Sequence, residues 1–221
     1  SDWTMSDIKE MITDVTSMNT PEITAILMNY LESDGKDRSD VESQALDLIS
    51  NWDGRHNFED VAPTIYYKWL YLTLVKAMED EVGDGIDGFL GTHLMKRSIQ
   101  PLIANSKSVW WDDINSIQKE TAIDIVSSAF IEAIQILQND LGNDPKEWIW
   151  SKVHSVEHPH ALGANATLRP YFNVGPYEVE GSREVINNFS FALSGDGSYE
   201  ALSGPSCRRV INMNEVDSDN W

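Results

Sequence analysis

Apolar residues in the first part of the chain recur every three or four positions, the spacing that places them on one face of an α-helix. Two of these runs begin with a capping box, in which a hydroxyl and a carboxylate three residues later satisfy free N–H groups at the helix start. The boxes are Thr4-Met5-Ser6-Asp7 and Ser39-Asp40-Val41-Glu42. The predicted inner faces are Ile8, Met11, Ile12 and Val15 in the first helix and Ala45, Leu46 and Ile49 in the second.

Two further helices are predicted from proline at a helix start, where its missing N–H removes no hydrogen bond. Thr20-Pro21-Glu22 places proline at the first position of a helix that lies between the two capping boxes. Pro63 begins a longer helix that reaches about Glu81. The apolar positions of this long helix predict that one face lies in the core.

The last two predicted helices cover residues 86–104 and 116–141. Pro101 should bend or break the first of them, because proline lacks the N–H that a helix interior requires. The second is predicted to be the longest helix of the chain, and Gly142 provides its C-terminal stop. Asp144-Pro145-Lys146-Glu147 then has the sequence of a capped short turn.

The pattern changes near residue 144, after which β-forming residues and turn residues replace helical spacing. Strands are predicted over residues 148–154, 184–193 and 207–213, and Gly195-Asp196-Gly197 indicates a hairpin turn. Helices followed by strands indicate an α+β fold. We therefore predict a helical region at residues 1–143 and a β-rich segment at residues 144–221.

Charge and composition narrow the classes of partner. Sixteen basic and thirty-six acidic residues give a formal net charge of −20. Such a surface repels nucleic acid and anionic membranes, and no apolar run is long enough to span a bilayer. The single cysteine, Cys207, excludes an internal disulfide and is interpreted as a small core residue. We expect neither a nucleic-acid nor a membrane partner.

Three histidines and two acidic pairs are the candidate polar sites. His154, His158 and His160 suggest a zinc cluster, but no carboxylate or thiol pattern completes it. We favour a structural His154 and a loop with two exposed imidazoles. Asp112-Asp113 could suggest the paired carboxylates of glycoside chemistry, although helix capping explains them better. Glu178 and Glu180 could share a strand face, and solvent exposure explains them equally well.

Two arginines and a set of aromatic residues have structural interpretations that we favour. Arg208 and Arg209 should point to opposite faces of a strand, one of them buried against a carboxylate and the other exposed. Aromatic residues could line an acyl pocket, but their helical spacing favours the core. They are Tyr66, Tyr67, Trp69, Trp110 and Trp111.

A series of short motifs follows in a fixed order along the chain. The series is Trp52-Asp53-Gly54, Trp110-Trp111-Asp112-Asp113, Trp148-x-Trp150-x-x-x-His154, His158-Pro159-x-x-Leu162, Phe172-Asn173-x-Gly175-Pro176, Gly181-Ser182, Asn187 and Gly204-Pro205-Ser206-Cys207-Arg208-Arg209-Val210-Ile211. Each motif alone is common, but the ordered series resembles the latter part of the β-subunit in the penicillin acylase family of N-terminal-nucleophile hydrolases. That family includes penicillin, cephalosporin and acyl-homoserine-lactone acylases.

The resemblance implies an αββα amidase whose nucleophile is a serine freed at the N-terminus of the β-subunit. The serine hydroxyl attacks the amide carbon, its own α-amine takes the proton, and backbone N–H groups with an asparagine stabilise the oxyanion. Ser1-Asp2-Trp3 partly matches a Ser-Asn-x-Trp processed end, but it leads directly into a capped helix. We therefore expect the nucleophile, the oxyanion asparagine and the active-site arginine to lie outside this chain.

The resemblance thus assigns no catalytic, cofactor-binding or metal-binding residue to this chain. It allows calcium in the full-length family member, although no ligand positions match here. The implied partners are the α-subunit, the rest of the β-subunit and a small amide substrate, and the implied location is periplasmic or extracellular. Family members continue beyond the last motif, whereas this sequence stops at Asn220-Trp221, so we expect an incomplete sheet and no activity from this polypeptide alone.

One alternative has a different function. The chain could be a non-catalytic helical binding module with a small β-appendage. The ordered motifs favour the amidase, and the missing nucleophile is compatible with both. A Ser-Asn-x-Trp junction in the extended reading frame would distinguish them.

Overall fold

A computed structural model describes residues 3–217, and eight α-helices and three short strands lie in that range. The helices are α1 Met5–Ile12, α2 Asn19–Ser33, α3 Asp40–Ser50, α4 Ala62–Val82, α5 Ile86–Leu90, α6 His93–Ala104, α7 Ala122–Leu141 and α8 Arg169–Phe172. The strands are β1 His154–His158, β2 Val174–Glu178 and β3 Tyr199–Glu200. Short 3₁₀ helices cover Gly83–Gly85, Val109–Trp111, Pro145–Glu147, Trp150–Lys152 and Ala161–Ala164.

Both predicted capping boxes are confirmed, and a third one begins α7. The side chains of Thr4 and Ser39 accept from the N–H groups of Asp7 and Glu42, whose carboxylates bind back. Thr121 and Asp124 repeat the arrangement before α7. These boxes fix three helix starts, because they satisfy N–H groups that no helical carbonyl can reach.

Three helix predictions need correction. The predicted helix over residues 86–104 breaks at Gly91 and Thr92, where extended Thr92 caps α6, and Pro101 lies inside that helix. The helix predicted from residue 116 begins instead at Ala122. With 20 residues it is shorter than the 21-residue α4, so α4 is the longest helix.

The starts and ends of two N-terminal helices also differ from prediction. Helix α2 begins at Asn19, two residues before Pro21, so this proline is not its first residue. Val15 follows the end of α1, although it is buried as predicted for an inner-face residue. The predicted start at Pro63 and end near Glu81 agree with α4 to within one residue.

Helices α4 and α7 form the centre of the helical part. The Trp69 ring meets Phe130 edge-on at 5.1 Å between centroids, and its indole N–H donates to the Val126 carbonyl at 3.0 Å. Both aromatic side chains are fully buried. Aromatic pairs of this geometry stabilise beyond their buried area, so this contact fixes how the two helices pack.

The sheet has the strand order β2-β1-β3. β1 and β2 are antiparallel, with an irregularity between Val156 and His158, whereas β3 runs parallel to β1. Helices with a separate small sheet confirm the α+β class. The hairpin predicted at Gly195-Asp196-Gly197 does not form within residues 3–217. The strand after this turn is β3, and it pairs in parallel with β1.

The predicted strands are the least accurate part of the sequence analysis. Over residues 148–154 only His154 is in a strand, and Trp150–Lys152 is a 3₁₀ helix. Residues 184–193 form only isolated bridges, Ser182 with Asn188 and Ser190 with Ser203. Residues 207–213 form no strand.

A single hydrophobic core includes residues from both predicted regions. Trp148 and Trp150, which follow residue 144, lie in the same buried cluster as Tyr67 and Trp69 of α4. The division into residues 1–143 and 144–221 stays a prediction. The interpretations of Ser1 and of Asn220-Trp221 fall outside the described residues.

Within residues 3–217 no helix is both long and apolar enough to cross a bilayer.

Candidate functional site

The motifs from distant parts of the chain meet at one place in the core. The backbone N–H of Gly181 donates to the carbonyl of His56 at 2.7 Å, just after Trp52-Asp53-Gly54. The Gly181 carbonyl accepts from the indole N–H of Trp150 at 2.9 Å. We call the buried rings around this junction the aromatic–histidine cluster: His56, Tyr67, Trp150, His154, Phe191 and Tyr199.

Trp150 is the central ring of the aromatic–histidine cluster. It stacks on His154 at 4.7 Å and on Tyr67 and Tyr199 at 5.4 Å between ring centroids. Phe191 meets it edge-on at 5.7 Å. The 3₁₀ turn at Trp150–Lys152 makes this possible, because the N–H groups of Trp150 and Ser151 donate to the loop before α4 while the indole points into the core.

Two motif glycines are required by close backbone approach. Gly54 and Gly181 have positive φ angles of 89° and 85°. A Cβ atom on Gly54 would lie 2.2 Å from the Ser17 carbonyl oxygen, and one on Gly181 would lie 2.3 Å from that of Asn187. Only glycine fits both the conformation and the space, so these two motif positions serve the packing.

Both buried histidines have a proton on Nδ1. His154 Nδ1 lies 2.6 Å from the Tyr199 carbonyl oxygen, and His56 Nδ1 lies 3.3 Å from that of Val15. A carbonyl oxygen only accepts, so Nδ1 donates in each case. The Nε2 atom of His56 therefore accepts from the Tyr67 hydroxyl at 3.2 Å, whereas Nε2 of His154 is buried without a partner in residues 3–217.

Burial keeps the cluster uncharged at neutral pH. It lowers the pKa of His56 and of His154 to about 4, because the imidazolium form loses its water. Burial raises the pKa of Tyr67 and of Tyr199 above the ordinary range of tyrosine, because the charged phenolate would also lose its water. The imidazoles and phenols are therefore neutral hydrogen-bonding groups that hold the junction together.

The polar side chains at the junction are closed to solvent within residues 3–217. Ser182 lies next to the junction, but its side chain is fully buried, as are those of His56 and His154. A nucleophile must meet an amide carbon at its own oxygen, which a sealed serine cannot do. The contacts of this arrangement position the backbone.

The other histidine predictions are confirmed in part. His154 is buried in the core as predicted, and His158 and His160 are exposed as predicted. His158, however, is the last residue of β1 and does not lie in the predicted loop. His160 stacks on Phe172 at 5.3 Å and accepts at Nδ1 from the N–H of Leu162. Within residues 3–217 no group of three His, Cys, Asp or Glu side chains is arranged to hold a metal ion.

The acidic pairs have local roles. Asp112 accepts from the N–H of Glu120, and Asp113 accepts from the N–H of Asn115, so both stabilise the loop before α7. The predicted cap at these positions is wrong, because Thr121 caps the helix. Glu178 is exposed at the end of β2, and Glu180 is half-buried after it.

Arg208 and Cys207 differ from the sequence interpretation, whereas Arg209 agrees with it. The guanidinium of Arg208 donates to the Ile12 carbonyl, so its partner is not the predicted carboxylate. Arg209 is exposed as predicted for one of the pair. Cys207 is exposed, which contradicts its interpretation as a core residue; it follows Gly204 and Pro205 in a segment without strand pairing.

The aromatic residues that could have lined an acyl pocket are mostly core. Tyr66, Tyr67, Trp69 and Trp111 are buried. Trp110 is half-buried and lines an apolar cleft of about 600 Å³ together with residues of α4 and α6. A more polar cleft of about 790 Å³ lies beside α1. Among the described residues that line these two clefts, no nucleophile is paired with a base.

The sequence matches the family model for penicillin amidase over residues 1–221. The chain therefore belongs to the penicillin amidase family, as the ordered motifs predicted.

Similar proteins include acyl-homoserine lactone acylases named QuiP. The one from Pseudomonas aeruginosa is 24% identical over 193 residues, which covers 79% of this chain and 22% of that protein. The one from Pseudomonas fluorescens strain Pf0-1 is 24% identical over 180 residues, covering 79% and 21%. The one from Pseudomonas syringae pv. tomato is 28% identical over 120 residues, covering 52% and 14%. The chain spans about a fifth of the length of the curated relatives it matches.

Proposed function

We propose that this chain is part of an amidase that hydrolyses the amide between a carboxylic acid and an amine, of the acyl-homoserine-lactone, penicillin or cephalosporin type. The observation that carries the proposal is the penicillin amidase match over the whole chain. The names of the QuiP relatives support an acyl-homoserine lactone as the substrate class.

The nucleophile of the proposed reaction is an N-terminal serine outside this chain. Its hydroxyl adds to the amide carbon, its α-amine accepts the proton, and the amine product leaves as the acyl-enzyme forms. Water then releases the acid. This placement is supported by the relatives, which are about five times longer than the matched part, and by the burial of Ser182, His56 and His154.

In this proposal the chain contributes structure to the hydrolase. The strands β1, β2 and β3 belong to the sheet of an αββα fold, and the α-subunit and the rest of the β-subunit are the partners. The aromatic–histidine cluster supports that role, because it ties the helical core to the strands through neutral, buried groups. Precise placement of a catalytic group requires such a rigid support.

Calcium and cellular location belong to the longer protein. Calcium takes six to eight oxygen ligands, typically including carboxylates. The described residues do not fit such a site, because no group of three acidic or histidine side chains is arranged to hold a metal. We therefore place any calcium of the longer protein outside residues 3–217. A periplasmic or extracellular location is proposed, and fractionation of cells that express the extended gene tests it.

The test uses the extended reading frame and the 221-residue chain side by side. Each purified protein is incubated with an acyl-homoserine lactone and with chromogenic phenylacetyl and long-chain acyl amides, and the free amine is measured. We expect turnover by the longer protein and none by the chain. Replacing the serine at the processing junction by alanine should abolish the turnover.

Three results would contradict the proposal. Turnover by the 221-residue chain that Ser1→Ala abolishes would make Ser1 the nucleophile. A longer protein without a Ser-Asn-x-Trp junction and without turnover would favour the binding module. Turnover by the longer protein that survives replacement of the junction serine would require a different nucleophile.

A further inference from the structure

Arg183 is a buried cation that forms no ion pair with any of the described residues. Its residue surface is only 7% exposed, and its Nε atom has no hydrogen-bond partner within the described part of the chain. No Asp or Glu of residues 3–217 forms an ion pair with it. Its guanidinium carbon lies 5.6 Å from the centre of the Phe191 ring. Buried charges in proteins are normally paired, so this arrangement is incomplete.

A second cation lies beside it. Lys96 of α6 donates from Nζ to the backbone carbonyl of Arg183 at 3.4 Å. Burial lowers the pKa of Lys96, and the positive charge of Arg183 lowers it further. Two cations therefore repel each other across one small region, in a chain whose net charge is −20.

The neighbouring groups do not neutralise this pair. The carboxylate of Glu184 acts on both cations at a distance but forms an ion pair with neither of them. Tyr66 and Tyr67 lie near Arg183, and burial raises the pKa of both phenols, so they stay uncharged. The local charge remains positive.

We propose that Arg183 and Lys96 form a binding site for a carboxylate. The flat guanidinium presents paired N–H groups that match the two oxygens of a carboxylate, and the ammonium adds a second donor. The carboxylate comes either from an Asp or Glu of the longer protein outside residues 3–217 or from a free carboxylic acid. This proposal concerns binding and stability, so its failure and a failure of the proposed amidase activity are distinguishable.

The first experiment asks whether the site binds a carboxylate at all. Sodium octanoate is added to the 221-residue chain, and the Arg Nε–H resonances and the melting temperature are followed. We expect a saturable shift of the Arg183 resonance and a rise in melting temperature. Both should disappear in Arg183→Met and persist in Arg97→Met, which removes an exposed arginine from the adjacent position of α6. Lys96→Met should weaken octanoate binding about tenfold, the loss expected for one charged hydrogen bond.

The Arg183→Met variant also separates the two sources. Replacing an unpaired buried charge by an apolar side chain leaves the stability unchanged or raises it. The Arg183→Met variant of the 221-residue chain should therefore fold. If an internal carboxylate fills the site, the same change lowers the melting temperature of the longer protein, which then does not bind octanoate. If a free acid is the ligand, the longer protein binds octanoate as the chain does.

One combination of results would contradict the carboxylate site. If octanoate leaves the chain unchanged and Arg183→Met shifts the melting temperature equally in the chain and the longer protein, the proposal is wrong. Arg183 would then be a structural residue whose burial needs no anion.

Discussion

At the scale of single residues, His154 shows how a motif position contributes to stability. Its Nδ1–H donates to the Tyr199 carbonyl, which joins β1 to β3, and its ring stacks on Trp150. His154→Ala leaves that carbonyl without its donor, and we expect a loss of about 1–3 kcal/mol in the free energy of unfolding. Urea denaturation measures it. The control is His158→Ala, at the exposed end of β1, which should change stability by less than about 0.5 kcal/mol. Equal losses in the two variants would contradict this role.

The buried histidines also predict how stability depends on pH. The folded pKa of His154 is about 4, below the ordinary value of 6.5. As pH falls, the unfolded chain therefore binds the proton first, so this contribution to stability is complete above about pH 6.5 and is lost toward pH 4. His56 behaves in the same way.

The measurement compares wild type with His154→Gln, which retains a side-chain donor but does not titrate. Between about pH 7 and pH 5 the wild type should lose about 1–2 kcal/mol more than the variant. Glu81, whose pKa burial and Asp80 raise to about 7, changes stability in the opposite sense but equally in both proteins. Identical pH dependence in the two proteins would show that the pKa of His154 is the same in the folded and the unfolded chain, as for an exposed imidazole.

At the scale of secondary-structure elements, α7 depends on its capping box. Thr121 accepts from the N–H of Asp124 and the Asp124 carboxylate binds back to Thr121. Thr121→Ala removes this cap, so we expect the free energy of unfolding to fall by about 0.5–2 kcal/mol. Thr167→Ala, at an exposed position in a loop, is the control and should have little effect. If Thr121→Ala and Thr167→Ala are equally stable in urea, the cap does not contribute to stability and the prediction is wrong.

Helix starts could be predicted because they depend on local chemistry. Thr4 and Ser39 each have the acidic residue that completes a capping box three positions later, and both boxes form. The break before α6 lies at Gly91-Thr92, whereas the sequence predicts it at Pro101. Pro101 lies near the C-terminal end of α6, where the helix tolerates one missing hydrogen bond. Tertiary packing, and not the local sequence, decides whether the helix breaks at Gly91-Thr92 or at Pro101.

Strands were predicted less well because pairing is not a local property. Residues 148–154 contain β-forming aromatic residues, yet the N–H groups of Trp150 and Ser151 donate to Asp60 and Phe58 in the loop before α4. Those long-range partners select a 3₁₀ turn over a strand. The same applies to the candidate site. The family motifs contain its Trp150 and His154, but they include neither His56, Phe191 and Tyr199 nor the convergence with Tyr67 of α4. Arg183 carried no sequence signal, because burial is what makes it unusual.

At the scale of the whole molecule, the two regions predicted from sequence depend on each other. Tyr67 of α4 contacts Trp150, Phe191 and Tyr199 at 5.4, 4.9 and 5.7 Å between ring centroids. The buried Lys68, one residue later, donates to the Gly195 carbonyl at 3.1 Å. One face of α4 is therefore covered by residues beyond 144. The change from helices to strands near residue 144 therefore does not divide the chain into two independently folding units.

This dependence predicts that residues 1–143 do not fold cooperatively by themselves. Without residues 144–221, Tyr67 and the Lys68 ammonium lose their partners, and the apolar face of α4 meets water. We expect the truncated chain to retain helical far-UV circular dichroism but to lose near-UV signal, bind the dye ANS and melt without a sharp transition. The 221-residue chain, measured in parallel, should show one cooperative transition and no dye binding. A sharp transition with a native-like near-UV spectrum in the truncated chain would establish an independent helical domain and contradict the shared core.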